Sequence, residues 1–99
     1  MATAVARVET ESPERYAKQL CEHLGRRSKS TFADGDGTIE LTAGVVRLHS
    51  EPGVLVLEAE AGNDADLAVV TEVAGRHLER FGRRNELQVA WGPVESTAE

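Results

Sequence analysis

The only cysteine and two of the three histidines of this 99-residue chain fall in stretches with helical spacing: Cys21 and His23 in "RYAKQLCEHLGRR", and His77 in "HLERFGRR". Thiolate sulfur and imidazole nitrogen are donors that zinc, copper and iron accept, which makes Cys21, His23 and His77 the candidate ligand or metal residues. Residues two apart on a helix point about 160° away from each other, so Cys21 and His23 cannot clamp one ion by themselves. A shared site has to be built between elements. If two helices lie side by side, Cys21 or His23 approaches His77, giving a sulfur–imidazole or bis-imidazole site for iron, haem or zinc. Each residue also has a plainer role. Cys21, inside a helix with no base beside it, fits a small apolar filler. His77 lies between Val70 and Val73 on the helical wheel and near Phe81, where a half-buried ring with one hydrogen-bonded nitrogen is the ordinary case. No nucleophile, base and acid are legible together, so catalysis is left open and no cofactor is assigned.

Arginine supplies nine of the eleven basic residues, and it gathers at or after the helix ends. Arg80, Arg83 and Arg84 are the anion-binding candidates, because a planar guanidinium takes phosphate or carboxylate with two parallel hydrogen bonds. The competing role is complementing the helix carbonyls and pairing with acids, Glu72 with Arg76, Arg76 with Glu79, and Arg80 with Glu86. "DGDGTI" looks like part of an EF-hand loop. With Asp34 and Asp36 at loop positions 3 and 5, Gly37 falls on the required glycine, but Phe32 and Ala43 occupy the first and last ligand positions. The flanks read as strands, so calcium is excluded and the stretch is a hairpin turn.

The elements that must position these residues follow from local patterns. "TAVARVE" (3–9) alternates as a strand. Ser12 and Pro13 open a helix whose stripe is Tyr16, Leu20 and Leu24, flanked by Ala17 and Cys21, and Gly25 closes it. "KSTFA", "TIELT", "VVRLHS" and "VLVLEAE" are short β-rich runs separated by "DGDG", "AG" and "EPG" turns. Their inward residues are Phe32, Ile39, Leu41, Val46, Leu48, Leu55, Leu57 and Ala59, and Glu40, Arg47, His49 and Glu58 face outward. Asn63 or Asp64 caps a second helix with the stripe Leu67, Val70, Ala74, Leu78 and Phe81, ended by Gly82. "ELQVAW" closes as a last strand, with Leu87, Val89 and Trp91 on one side. The expectation is an α+β two-layer sandwich: a mostly antiparallel sheet with both helices on one face, in the order β-α-β-β-β-β-α-β. Residues 1–92 form one domain, and the polar stretch 93–99 is a disordered tail. The endings "HLGRR" and "HLERFGRR" are alike, as independent helix ends rich in glycine and arginine become.

A two-layer fold leaves one sheet face open. Val45, Val54, Val56 and Ala90 would lie there among charges, a surface for a homodimer or another partner. The net charge of −6 and the four aromatic residues argue against nucleic acid, which needs cations on phosphate and rings on bases. No apolar run reaches the roughly 20 residues of a membrane span, and a lone cysteine without a leader points to the cytoplasm.

"R-Y" followed by "L-C-x-H-L" on the first helix, then "H-L-x-R-F" leading to "R-x-E-L-x-V-x-W", resemble the bacterial domain-of-unknown-function family 2218 over roughly residues 4–92. The resemblance implies no activity. It implies relatives attached to, or encoded beside, flavin-dependent siderophore-interacting proteins of iron uptake, and hence a flavoprotein partner. The 99 residues hold no flavin domain, which leaves that link an association.

Overall fold

The computed structural model describes residues 1–24, 29–82, 87–92 and 94–96. Seven elements supply most of the architecture: β1 (Ala2–Glu9), α1 (Pro13–Leu24), β2 (Lys29–Ala33), β3 (Asp36–Glu40), β4 (Gly44–Glu51), β5 (Val54–Ala61) and α2 (Asp64–Phe81) follow in hairpin-and-helix order, and β6 (Glu95–Ser96) ends the described chain. All pairings are antiparallel, in the spatial order β2-β3-β4-β5-β1-β6. The long excursion from β1 through α1 to β2 lets β5 return beside β1, so the first strand is interior to the sheet.

Strict alternation explains which face is covered. On β1, Ala2, Ala4, Ala6 and Val8 are buried, and on β5 so are Leu55, Leu57, Ala59 and Ala61. Both helices pack on that face: α1 against β2 through β5, and α2 against β5, β4 and β1. Their stripes fall as the four-residue spacing predicts, with Tyr16, Ala17, Leu20, Cys21 and Leu24 buried from α1 and Leu67, Val70, Ala74 and Leu78 from α2. Small alanines on β1 let α2 sit close, because a Cα–Cβ stub is all that separates the helix from the strand there.

Helix starts and turns follow their chemistry. The Ser12 carbonyl accepts from the Tyr16 N–H. Asn63 is the cap of α2, its side-chain oxygen accepting from the Asp66 N–H at 2.8 Å. Asp34 and Gly35 have φ of 53° and 82°, the left-handed pair of a two-residue hairpin. Three boundaries differ from expectation. Asp36 and Gly37 belong to β3 rather than to a four-residue turn, because the tight turn is complete after Gly35. Gly44 opens β4, since Leu41 and Gly44 bond each other across Thr42 and Ala43. The described part of "ELQVAW", residues 87–91, is not a ladder strand: Trp91 forms an isolated bridge to Ala6, and the Gly92 N–H donates to the Val5 carbonyl. Its alternation is real, for Leu87 is buried and Val89 and Trp91 pack on the core, but side-chain anchoring holds it instead of a strand pairing. The strand that pairs with the other edge of β1 comes from the stretch expected to be a frayed tail, Glu95 and Ser96 lying opposite Thr3 and Ala2. Gly25, expected to close α1, lies outside the described residues.

Candidate functional site

Helix packing decides which of the three candidate ligands meet. Cys21 lies on the sheet side of α1, 2% exposed, its Sγ 3.8 Å from the Thr31 carbonyl oxygen. A Cβ built on Gly37 would stand 2.7 Å from that sulfur, so the strand beneath the cysteine accepts only glycine without adjustment. The Ser30 hydroxyl donates to the Cys21 carbonyl at 2.9 Å and ties the end of α1 to β2. Cys21 is therefore a core residue, and the sulfur–imidazole site is not formed: its direction on the helix carries it into the sheet.

Two residues on, His23 turns the other way and meets α2. Its ring centroid lies 5.0 Å from that of His77, with the planes at 45°, and 5.1 Å from Phe81 in an edge-to-face arrangement. The His77 Nδ1 is 2.7 Å from the Val73 carbonyl oxygen. A carbonyl can only accept, so Nδ1 carries a proton and donates, and in the neutral form of the ring Nε2 keeps a lone pair. That is the second-sphere bond that orients metal-ligating histidines. His23 is in the last turn of α1, and His77 is one turn before the end of α2. Both helix carboxyl ends bring partial negative charge to the imidazoles, a field that favours a cation.

A cavity of about 510 Å³ opens beside His77, and the described residues that line it are Arg76, His77, Glu79 and Arg80. Arg76 pairs with Glu72 at 3.0 Å, as the four-residue spacing predicts. Glu79 accepts from the Val89 N–H at 3.0 Å and holds the closing segment to α2 instead of pairing with Arg76. Arg80 lies on this wall, while Arg83, Arg84 and the proposed partner Glu86 lie outside the described residues. The third histidine is elsewhere: His49 stands on the outer sheet face, with Nδ1 against Asp36 and Nε2 3.7 Å from Glu51. Asp34 and Asp36 are split between a hairpin turn and a strand.

The pattern of family 2218 of domains of unknown function, described as an uncharacterized protein conserved in bacteria, matches residues 5–92. The chain belongs to this family. It is similar to PA4090 from Pseudomonas aeruginosa, whose NMR structure agrees with a TM-score of 0.81 at 28% identity, covering 97% of this chain and 100% of that one. No curated protein matches it. Membership in family 2218 thus fixes kinship and fold, and the chemistry has to come from the side chains. Among the described residues no group of three or more His, Cys, Asp or Glu is placed to hold a metal ion, and no helix is long and apolar enough to cross a membrane.

Cys21 gives a prediction of its own. Burial, with the Glu22 charge as the smaller cause, pushes its thiol up from 9.0 to about 11. The thiolate, which is the nucleophile, is then about 100-fold scarcer at pH 8 than for an ordinary cysteine. Iodoacetamide should leave the native chain unmodified and label it in denaturant. The raised value also has a stability sign. Below pH 9 native and unfolded thiols are both protonated and the contribution is intact, whereas between pH 9 and about 11 only the unfolded thiol ionises and stability falls. The loss is about 2 kcal/mol. Denaturation midpoints across that window should fall more steeply for the native sequence than for Cys21→Ala, and parallel curves would refute the assignment.

Proposed function

We propose that this chain is a small binding or accessory domain whose ligand is a divalent transition metal, held between the helices by His23 and His77. The observation that carries the proposal is the 5.0 Å separation of the two ring centroids. With metal–nitrogen bonds of about 2.0–2.1 Å, a ring centroid stands roughly 3.2 Å from the ion, and two such rings at the tetrahedral angle have centroids about 5 Å apart. The distance between the rings supports a pair sharing one ion. It does not fit a haem, whose two axial imidazoles on opposite sides of the porphyrin would have centroids about 6.4 Å apart.

The hydrogen bond from His77 to Val73 and the two helix carboxyl ends supply orientation and charge. Imidazole suits zinc, copper, nickel and ferrous iron, which defines the metal class. With two donors among the described residues, the remaining positions are open to exchangeable ligands, a coordination suited to uptake and release more than to a structural site. The runner-up, a metal- or haem-dependent enzyme using Cys21, His23 and His77, is weakened on both counts, because the sulfur points into the core and the spacing is wrong for haem. The resemblance to relatives found beside siderophore-interacting flavoproteins makes iron the metal of interest and such a flavoprotein the partner in this reading. The outer sheet face, where Val5 is 44% exposed and Val45, Val54 and Val56 are half-buried, is the surface it offers to a partner or a second copy.

Titration with zinc or nickel, followed by calorimetry, tests the site. One ion per chain is expected, weakened at least about tenfold in His77→Ala and unchanged in His49→Ala. Equal affinity in the wild-type chain and His77→Ala, or no binding to either, ends the metal reading. A pull-down that recovers no flavoprotein removes the iron-uptake partner alone.

A further inference from the structure

We propose that the cavity beside the end of α2 is an anion site, which takes a small organic dicarboxylate and gives one carboxylate to Arg76 and the other to Arg80. This site stands apart from the metal reading above and needs no ion.

The charge of the wall sets the sign of the ligand. Among the described residues that line the cavity, two arginines, Arg76 and Arg80, stand against one glutamate, Glu79, a net charge of +1 with His77 neutral. The glutamate is also turned to the closing segment, where its Oε2 accepts from the Val89 N–H at 3.0 Å. The carboxyl end of α2 contributes a partial negative charge of about half a unit, less than the charge of either guanidinium.

Placement comes next. Arg76 and Arg80 are four residues apart on α2, and side chains at that spacing share a side of the helix with Cβ atoms about 5–6 Å apart. Like charges so placed oppose each other and weaken a helix, and an anion between them reverses the sign of that effect. Glu72, one turn earlier, meets Arg76 through one contact, Nη2 to Oε1 at 3.0 Å. That contact steadies the guanidinium and uses one part of a fork with five N–H donors.

Two planar forks a helical turn apart define the shape of the ligand. Each guanidinium receives one carboxylate through two parallel hydrogen bonds, so a molecule with a carboxylate at each end uses both at once. Room agrees with this. The cavity measures about 510 Å³. That lies within the range of about 300–1,000 Å³ usual for organic ligands, and a single inorganic phosphate would leave most of it unfilled.

Glutarate and pentanoate share a five-carbon chain and differ by one carboxylate. The chain is first stripped of metal on a chelating resin, then titrated by calorimetry at about 0.15 M salt, where charges beyond about 8 Å are screened. One glutarate should bind per chain, at least about tenfold more tightly than pentanoate. Arg76→Gln and Arg80→Gln, both at exposed positions, should each lower the affinity for glutarate to that for pentanoate. Arg47→Gln removes the same charge from the outer sheet face, where Arg47 pairs with Glu58, and should change nothing. Equal binding of the two acids, binding of neither, a glutarate preference that survives in either cavity variant, or tighter binding of inorganic phosphate than of glutarate overturns the proposal. Zinc binding without glutarate binding removes this site and leaves the two-histidine reading standing, and glutarate binding without zinc binding does the reverse.

Discussion

Replacing Gly44 with alanine is expected to destabilise the domain by about 3 kcal/mol, a large fraction of the stability of a chain this size. Gly44 is the first residue of β4 and stands opposite Ala61 of β5. A Cβ there would lie 2.2 Å from the Glu60 carbonyl oxygen, 3.0 Å from a Val70 methyl and 3.1 Å from the Ala61 Cβ. The first of these is backbone in an adjoining strand, so relief requires β4 and β5 to part or α2 to lift off the sheet. Either movement disturbs buried apolar contacts around Ala61 and Val70. Denaturant titration checks the size of the effect, and a lowered midpoint with an unchanged slope would mark it as a loss of native stability. Gly62→Ala is the control. Nothing lies within 4 Å of a Cβ at that position, so the change should stay within about 0.5 kcal/mol. If the two alanine variants unfold together, the close approach of α2 to the end of β4 is wrong.

Period-two and period-four patterns were sufficient to read the layers. Alternation in "VLVLEAE" identifies Leu55, Leu57 and Ala59 as inward, and all three are fully buried. The Leu67, Val70, Ala74 and Leu78 spacing likewise gives the buried stripe of α2. Pattern alone misplaced the closing strand, because alternation reports which side chains are buried and not whether the backbone has a ladder partner. Leu87, Val89 and Trp91 are anchored by α2 and by a single bridge to β1, with the Val89 N–H taken by the Glu79 carboxylate. A carboxylate that captures a backbone donor from another segment leaves no trace in local sequence.

The candidate site was half legible for the same reason. The helical wheel separates Cys21 from His23, but only the side of α1 that faces the sheet decides which of them reaches α2. A usable signal was present. In both helices a histidine immediately precedes a buried leucine, Leu24 in one and Leu78 in the other. That offset puts each imidazole beside its apolar stripe, at the seam where two helices on one sheet face must meet. The bond from His77 to Val73 was also implicit in their four-residue separation, although the ring nitrogen that makes it is a matter of rotamer.

Leu20→Ala should cost about 3 kcal/mol and lower the melting temperature by about 15 °C, and it connects the packing to the site. Leu20 is fully buried and lies at the centre of the α1 stripe, between Tyr16 and Leu24 and next to Ala17 and Cys21. Alanine there leaves a cavity under a helix of 12 residues, too short to hold its shape without docking. That helix carries His23, so the proposed metal pair requires α1 to be docked. A ligand that binds the folded chain alone raises its stability by RT ln(1 + [L]/Kd), or about 2.7 kcal/mol at 100 times Kd. Zinc at that excess should therefore restore most of the stability that Leu20→Ala loses, as followed by thermal melts with and without the ion. In Leu20→Ala combined with His77→Ala the same zinc should restore nothing. Equal rescue of both variants would place zinc somewhere other than between His23 and His77, whereas rescue of the single variant alone would tie the docking of α1 to the meeting of the two imidazoles.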